Sequence, residues 1–234
     1  MTTDRPVTTN RPAAVVLDAG GVLFLPDPGA FRRHLAPFGL VPDDEECVAA
    51  HFAGCAEIDR LGAADYDAAD RAIARHLGAS AADLEEATEA VHRVYRAEPW
   101  VPAHGAAEAL VRLIAAGFRL AVVSNADGTV AEQLAAHRIC SVEGGDAAEV
   151  AIVVDSHVVG VEKPDPAIFA FALDALGVPA ERCAYIGDTV HFDVNGALAA
   201  GLSPVHVAPT GYCKVSGHPH SASLAAYAAE LLAT

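Results

Sequence analysis

The chain has 234 residues, 53% of them hydrophobic, and carries 15 Lys plus Arg against 31 Asp plus Glu, for a formal charge of −16 and a pI near 4.9. That length and apolar share suit one sizeable core with a subsidiary domain and exclude a disordered or fibrous chain. The acidity speaks against nucleic acid and anionic membranes as main partners, since both would be repelled, and favours small molecules and metal cations.

Met1 to Pro12 is polar with no apolar h-region, and no apolar run nears the ~20 residues that span a bilayer, so a soluble, cytoplasmic protein is expected. Ala13 to Leu17 is a short apolar run that ends in Asp18 and the pair Gly20-Gly21, the pattern of a buried strand followed by a tight turn. From about Pro26 to Pro102 the chain is Ala-rich with helical periodicity and no convincing strand. The candidate helices there are Gly29 to Pro37, Asp43 to Ala56, Tyr66 to His76 and Ala81 to Glu98. This stretch reads as a helical insertion that would lie over the strand ends as a lid.

Beyond it, strands at Arg119 to Val123, Cys183 to Ile186 and Ser203 to Val207 alternate with helices at His104 to Ala116, Thr129 to His137, Asp165 to Leu176 and Phe192 to Ala200. Three of these helices stop at Gly117, Gly177 and Gly201, where a C-terminal cap glycine is expected. Tyr212 to His220 reads as a loop and Ser223 to Leu232 as a final helix. The alternation predicts an α/β fold: a Rossmann-like, doubly wound parallel sheet core over 13–25 and 103–234, with a small helical cap domain over 26–102. Ligands of such a sheet bind beyond the carboxyl ends of its strands.

The five cysteines are odd in number and spread out with no C-x-x-C pair, which indicates neither a disulfide framework nor a zinc cluster. In the tail, Cys213, His218 and His220 lack a fourth ligand and a zinc spacing, so an ordinary loop is expected.

Four polar features fall at strand ends in order: Asp18 with Gly20, Ser124-Asn125, Lys163 before Pro164, and Asp188 with Asp193. Each alone has a plain structural reading as a turn, loop or helix cap. Together they supply a carboxylate nucleophile or ligand, a hydroxyl beside a backbone donor, a cation and an acidic pair, the set that phosphoryl transfer needs. Lysine is scarce here, two residues against thirteen Arg, so Lys163 marks a position that wants a compact point charge.

In these motifs the chain resembles the haloacid dehalogenase superfamily of hydrolases, in the subgroup whose helical cap follows the first strand. The motifs are Val15-Val16-Leu17-Asp18-Ala19-Gly20-Gly21-Val22-Leu23, Val122-Val123-Ser124-Asn125, Val161-Glu162-Lys163-Pro164-Asp165-Pro166 and Tyr185-Ile186-Gly187-Asp188-Thr189-Val190-His191-Phe192-Asp193. The resemblance covers Ala13 to about Val207. It implies a phosphatase for a small phosphorylated metabolite, with Asp18 as the transiently phosphorylated nucleophile. Mg²⁺ would be held by Asp18, the Gly20 carbonyl and Asp188, with Asp193 a direct or outer ligand. Ser124, the Asn125 backbone and the Gly20-Gly21 turn would surround phosphate oxygens, and Lys163 would neutralise Asp18 and the phosphoryl group. A monomer or homodimer is expected.

Phosphatases of this group usually carry an acid two residues after the nucleophile, where this chain has Gly20. A positioned acid or base is worth roughly 10²–10⁴ in rate. Three readings follow: a substrate whose leaving group needs no proton, a stand-in group from the cap or the loop holding Asp27, or a slow or inactive relative that binds phosphorylated ligands. The absence of Lys from 26–102 excludes the Schiff-base chemistry of family phosphonatases, and family phosphomutases need the missing acid. Gly20 and Gly187-Asp188 fit a metal site better than a dehalogenase. In the cap, His51 and Arg60 are candidates for substrate contact, as is His191 in the fourth motif, while Phe52, Tyr95 and Trp100 are expected to pack together.

Overall fold

Ala14, Val15, Val16 and Leu17 are all fully buried, because this first strand lies inside a parallel sheet covered on both faces. The computed structural model describes residues 11–209, 211–213 and 215–233; most of the polar leader, and Lys214, lie outside them. Strand β1 (Ala14–Leu17) leads to β2 (Phe24–Pro26), helices α1 (Pro28–Leu35), α2 (Asp44–Leu61), α3 (Tyr66–His76) and α4 (Leu84–Ala97), and then β3 (Trp100–Pro102). There follow α5 (Ala106–Ala115), β4 (Arg119–Ser124), α6 (Val130–Ala136), β5 (Cys140–Ser141), β6 (Ala148–Glu149), β7 (Val153–Asp155) and α7 (Ser156–Val159). The chain ends with α8 (Ala167–Leu176), β8 (Cys183–Gly187), a π-helical turn (Val190–Val194) running into α9 (Asn195–Ala199), β9 (Ser203–Val207), β10 (His220–Ser221) and α10 (Leu224–Leu232).

Six strands form the main sheet in the order β10-β9-β8-β1-β4-β7, and every pairing is parallel. Side-chain alternation sorts the strands onto two cores. Val15, Leu17, Leu120 and Val122 pack with Leu110 and Leu113 of α5 and Leu224 of α10. Ala14, Val16, Ala121 and Val123 face the other way, onto Ile168, Phe169 and Leu176 of α8. From β1 the chain winds outward through β4 and β7, then returns to the other side for β8, β9 and β10. The reversal lies between β1 and β8, and their carboxyl ends open the crevice where such sheets bind ligands. The fold class is therefore the expected one.

Helices α1 to α4 bury Phe31, Leu35, Ile73, Val91 and Val94 in a third, separate core. Helix α2 opens with a reciprocal cap between Asp43 and Glu46 and ends at Gly62, whose φ is 62°. It runs five residues further than the periodicity predicts, as far as the left-handed Gly62, and Gly54 within it is a contact point. A Cβ on Gly54 would lie 2.7 Å from Cδ1 of Ile73 in α3. The entry and exit of this insertion pair as an antiparallel ribbon, β2 with β3, which is too short to read from periodicity. The edge strands β7 and β10 escape notice for the same reason. Among the described residues, no helix is long and apolar enough to cross a membrane.

The close approach at Gly54 makes a testable coupling. Alanine in a helix interior is favoured over glycine by about 1 kcal/mol, but the clash with Ile73 cancels that gain. Denaturant melts should show Gly54→Ala stabilising by about 1 kcal/mol only in an Ile73→Ala background, which removes both Cδ1 and Cγ1 from its path.

Candidate active site

Strand β1 carries Asp18 to the carboxyl edge, where its backbone N–H bonds the Ile186 carbonyl of β8 at 2.8 Å. The chain then turns through Gly20 and Gly21. Gly21 has φ of 68°, and a Cβ there would run into the Asp188 carboxylate. At the end of β8, a Cβ on Gly187 would run into Asp193. The two glycines thus let carboxylates pack directly against backbone.

Lys163 is 1% exposed, and its ammonium has three oxygen partners. Nζ lies 2.8 Å from Asp18 Oδ2 and 2.7 Å from Asp193 Oδ1, and it donates to the Tyr185 hydroxyl at 3.0 Å. Tyr185 in turn donates to Asp193 Oδ1 at 2.8 Å. The Asn125 side chain clamps the Lys163 backbone from both sides: Oδ1 accepts from the Lys163 N–H at 2.8 Å and Nδ2 donates to its carbonyl at 3.0 Å. Asp193 Oδ2 accepts from the N–H and hydroxyl of Thr189, at 2.9 and 2.6 Å. Each Asp193 oxygen therefore has two donors, and its evident task is holding Lys163. Asp18 Oδ1 accepts from the Ala19 N–H at 2.7 Å. Ser124 is buried at the end of β4, in register with Asp155 of β7, whose carboxylate ties the following loop through the N–H groups of Gly128 and His157.

Burial pushes Asp18 up to about 7, with Asp193 and Asp188 adding to the effect and Lys163 opposing it. Burial would also raise Asp193, but Lys163 and the Thr189 and Tyr185 hydrogen bonds outweigh it and leave Asp193 lowered. Lys163 would be lowered by burial, yet its two carboxylates hold it raised. Lys163 and Asp193 thus form the stable ion pair, and Asp18 keeps a proton until near neutrality. Asp18, Asp188 and Asp193 each bring an oxygen within 4.8 Å of the others. Three buried carboxylates against one ammonium leave surplus negative charge and an all-oxygen donor set, which suits a hard divalent cation.

Helix α2 reaches this site with a stripe at four-residue spacing: His51, Cys55 and Asp59. His51 is buried. Its Nε2 lies 2.9 Å from Asp188 Oδ2, which can only accept, and its Nδ1 lies 3.0 Å from the Tyr95 hydroxyl. The Cys55 thiol donates to the same Asp188 oxygen at 3.3 Å. Asp59 Oδ1 accepts from the N–H groups of Val190 and His191, at 2.7 and 2.8 Å. Sequence reasoning picked out His51 but missed Cys55 and Asp59, whose signal is that spacing. Arg60 points outward and pairs with Glu57, and the His191 ring packs on Phe192 at 4.7 Å.

Trp100 occupies the space beside Gly20, where an added Cβ would meet the indole at 3.4 Å. Tyr95 and Trp100 pack as expected, with ring centroids 5.6 Å apart and His51 against both, and Phe52 packs edge-on to His51 at 5.2 Å and also meets Tyr212 of the tail at 6.4 Å. Asp27 caps α1 through the N–H groups of Gly29 and Ala30. On β9, His206 is buried with its Nε2 2.9 Å from the Asp188 carbonyl, and its ring meets those of His218 and His220. The tail histidines and Cys213 thereby acquire the fourth partner that the local spacing lacks.

Residues 12–201 match the family described as haloacid dehalogenase-like hydrolase. The chain belongs to this family. Phosphoglycolate phosphatase of Rhodospirillum rubrum is 34% identical over 219 residues, covering 87% of this chain and 82% of that protein. Phosphoserine phosphatase of Thermus thermophilus is 35% identical over 124 residues, and glyceraldehyde 3-phosphate phosphatase of Pyrococcus abyssi 36% over 101, covering 53% and 43% of this chain. The chain spans less than half the length of these last two relatives, 47% and 40%. Among solved structures, a haloacid dehalogenase-superfamily hydrolase from Ehrlichia chaffeensis superposes with a TM-score of 0.58 at 19% identity, covering 97% of this chain and 98% of that one. A dehalogenase solved with an intermediate complex superposes at 0.56 and 21% identity, covering 92% and 95%. These structures share the fold.

The raised Asp18 makes stability depend on pH in a definite direction. Between about pH 4 and 7 the folded state holds a proton that the unfolded chain has lost, so stability falls as pH rises through that window. With chelator present, Asp18→Asn should melt higher than wild type at pH 8, by a few kcal/mol and at most ~4. The difference should vanish near pH 4.

Proposed function

We propose that the chain is a Mg²⁺-dependent phosphohydrolase for a small phosphorylated metabolite, with the phosphoryl group carried transiently on Asp18. The observation that carries this reading is the buried ammonium of Lys163 between Asp18 and Asp193, 2.8 and 2.7 Å away, with Asp188 alongside. The phosphatase relatives support it. In this reading residues 26–102 are the cap that screens substrates over a core of 13–25 and 103–234.

Mg²⁺ would be held by Asp18, the Gly20 carbonyl and Asp188, where it supplies the positive charge that lets an anionic phosphate approach a carboxylate. The remaining work falls to the chain itself. The Ala19 N–H and Lys163 fix the two oxygens of Asp18, which limits the carboxylate to one orientation for attack. Lys163 offsets negative charge on the nucleophile and the incoming group, and the Asn125 side chain, Tyr185 and Asp193 keep it in place. Ser124, the Asn125 N–H and the Gly20-Gly21 turn receive phosphate oxygens at the strand ends.

No acid stands two residues after Asp18, and the Trp100 indole borders that position, 3.4 Å from where a Cβ would lie. The substrate class this favours has a leaving group that departs without a proton, such as an acyl, aryl or anhydride phosphate. The same observation supports a second reading, a relative that binds phosphorylated ligands with little turnover. A substrate panel with Mg²⁺ separates the two. Aryl or acyl phosphates should exceed alkyl phosphates by roughly 10²–10⁴, and Gly20→Asp combined with Trp100→Ala should recover part of that gap on alkyl esters. Asp18→Asn should reduce every substrate to background, and retention of wild-type turnover by this variant would refute the mechanism. Binding without turnover, before and after the paired substitution, would favour the second reading. Halide release from a 2-haloacid without added metal would point to a dehalogenase.

A further inference from the structure

Four metal-ligating side chains converge behind the carboxylate site: His206 on β9, Cys213 in the tail loop, and His218 and His220 at β10. The fold brings them together in a way that the linear spacing hides. His206 and His220 are register partners on adjacent parallel strands, so their side chains leave the same face, and His218 lies two residues before His220. The His206 N–H bonds the Pro219 carbonyl at 2.9 Å, which fixes the tail against β9.

The distances fit coordination. His206 Nδ1 lies 3.2 Å from His218 Nε2, Cys213 Sγ lies 3.6 Å from that same His218 nitrogen, and all four donor atoms lie within 4.8 Å of one another. Zinc bonds of about 2.0 Å to nitrogen and 2.3 Å to sulfur at tetrahedral angles put ligand atoms roughly 3.3–3.6 Å apart. The protonation pattern fits as well. His206 Nε2 faces the Asp188 carbonyl, which can only accept, so the proton sits there and Nδ1 presents its lone pair to the cluster. A ligating histidine that anchors its other nitrogen on a carbonyl is the usual supporting arrangement for a metal.

We infer that His206, Cys213, His218 and His220 form a second metal site, a three-imidazole, one-thiolate centre for Zn²⁺ or a similar borderline transition metal, chemically distinct from the all-oxygen site at Asp18. Four protein ligands make it a closed, structural site. Its position gives it a purpose: the metal ties Cys213, His218 and His220 to β9, and His206 passes that rigidity to the backbone of Asp188 through one hydrogen bond. The assignment does not depend on which reaction Asp18 performs.

Cobalt provides the test, because a tetrahedral thiolate site absorbs strongly in the visible and shows a sulfur-to-cobalt charge-transfer band, whereas an oxygen site does neither. Metal-free protein, with excess Mg²⁺ present to occupy the carboxylates, should take up one equivalent of Co²⁺ with both signatures and release it to Zn²⁺. Cys213→Ser should abolish the charge-transfer band. His220→Ala, at an exposed position that leaves the fold intact, should weaken uptake by about 10-fold or more. Asp188→Asn should leave the spectrum unchanged. Uptake that survives both Cys213→Ser and His220→Ala, uptake that is lost with Asp188→Asn, or no tetrahedral spectrum at all would overturn the proposal and leave the cluster as a set of imidazole and thiol hydrogen bonds.

Discussion

An ammonium buried at the centre of the sheet edge governs this structure. Removing Lys163 from water costs several kcal/mol unless its charge is met and its three protons are used, and here each requirement brings in a different segment. Asp18 comes from the end of β1, Tyr185 from β8, Asp193 from the π-helical turn, and the Asn125 clamp on the lysine backbone from the end of β4. Four stretches of chain must be in register for one charge to be tolerable. An arginine would present a planar fork to a pocket built around a point charge, which accounts for a lysine in a chain that otherwise takes arginine.

The same constraint explains how Asp18 and Asp193 differ despite sharing a partner. Asp193 has four donors and stays ionised, whereas Asp18 has the Ala19 N–H and Lys163 and is left beside Asp188 with charge unmatched. Such a group destabilises the fold at neutral pH when no cation is bound, which is the usual direction of strain at a reactive site. On the phosphohydrolase reading, the surplus negative charge and the reactivity of the carboxylate have one origin. Helix α2 meets this region through the polar contacts of His51, Cys55 and Asp59 and through Phe52, which is buried in one of the sheet's own cores, while α1 to α4 also share a separate apolar core.

Much of this was legible in sequence because strand ends announce themselves. A short apolar run that ends in a polar or glycine residue predicts where Asp18, Ser124 and Asp188 emerge, and the helix spacing between runs predicts a parallel sheet. What could not be read came from contacts between distant segments or from elements of two or three residues. The indole of Trp100 beside Gly20 depends on the β2–β3 ribbon. The Asn125 side chain holds a residue 38 positions away, where the motif alone suggested a backbone role. The fourth partner of the tail cluster, His206, sits seven residues before Cys213 on β9, so only the pairing of β9 with β10 brings it to the tail. The stripe of His51, Cys55 and Asp59 was visible in principle, but identical spacing on a helix serves equally well for packing.

The claim that Asp18 carries the phosphoryl group can be tested on the residue itself. Turnover of an aryl or acyl phosphate with Mg²⁺, quenched in acid and followed by peptide mass analysis, should show the peptide containing Asp18 heavier by one phosphoryl group, and no such mass in Asp18→Asn. Accumulation of free phosphate with that peptide unmodified at every quench time would contradict the account.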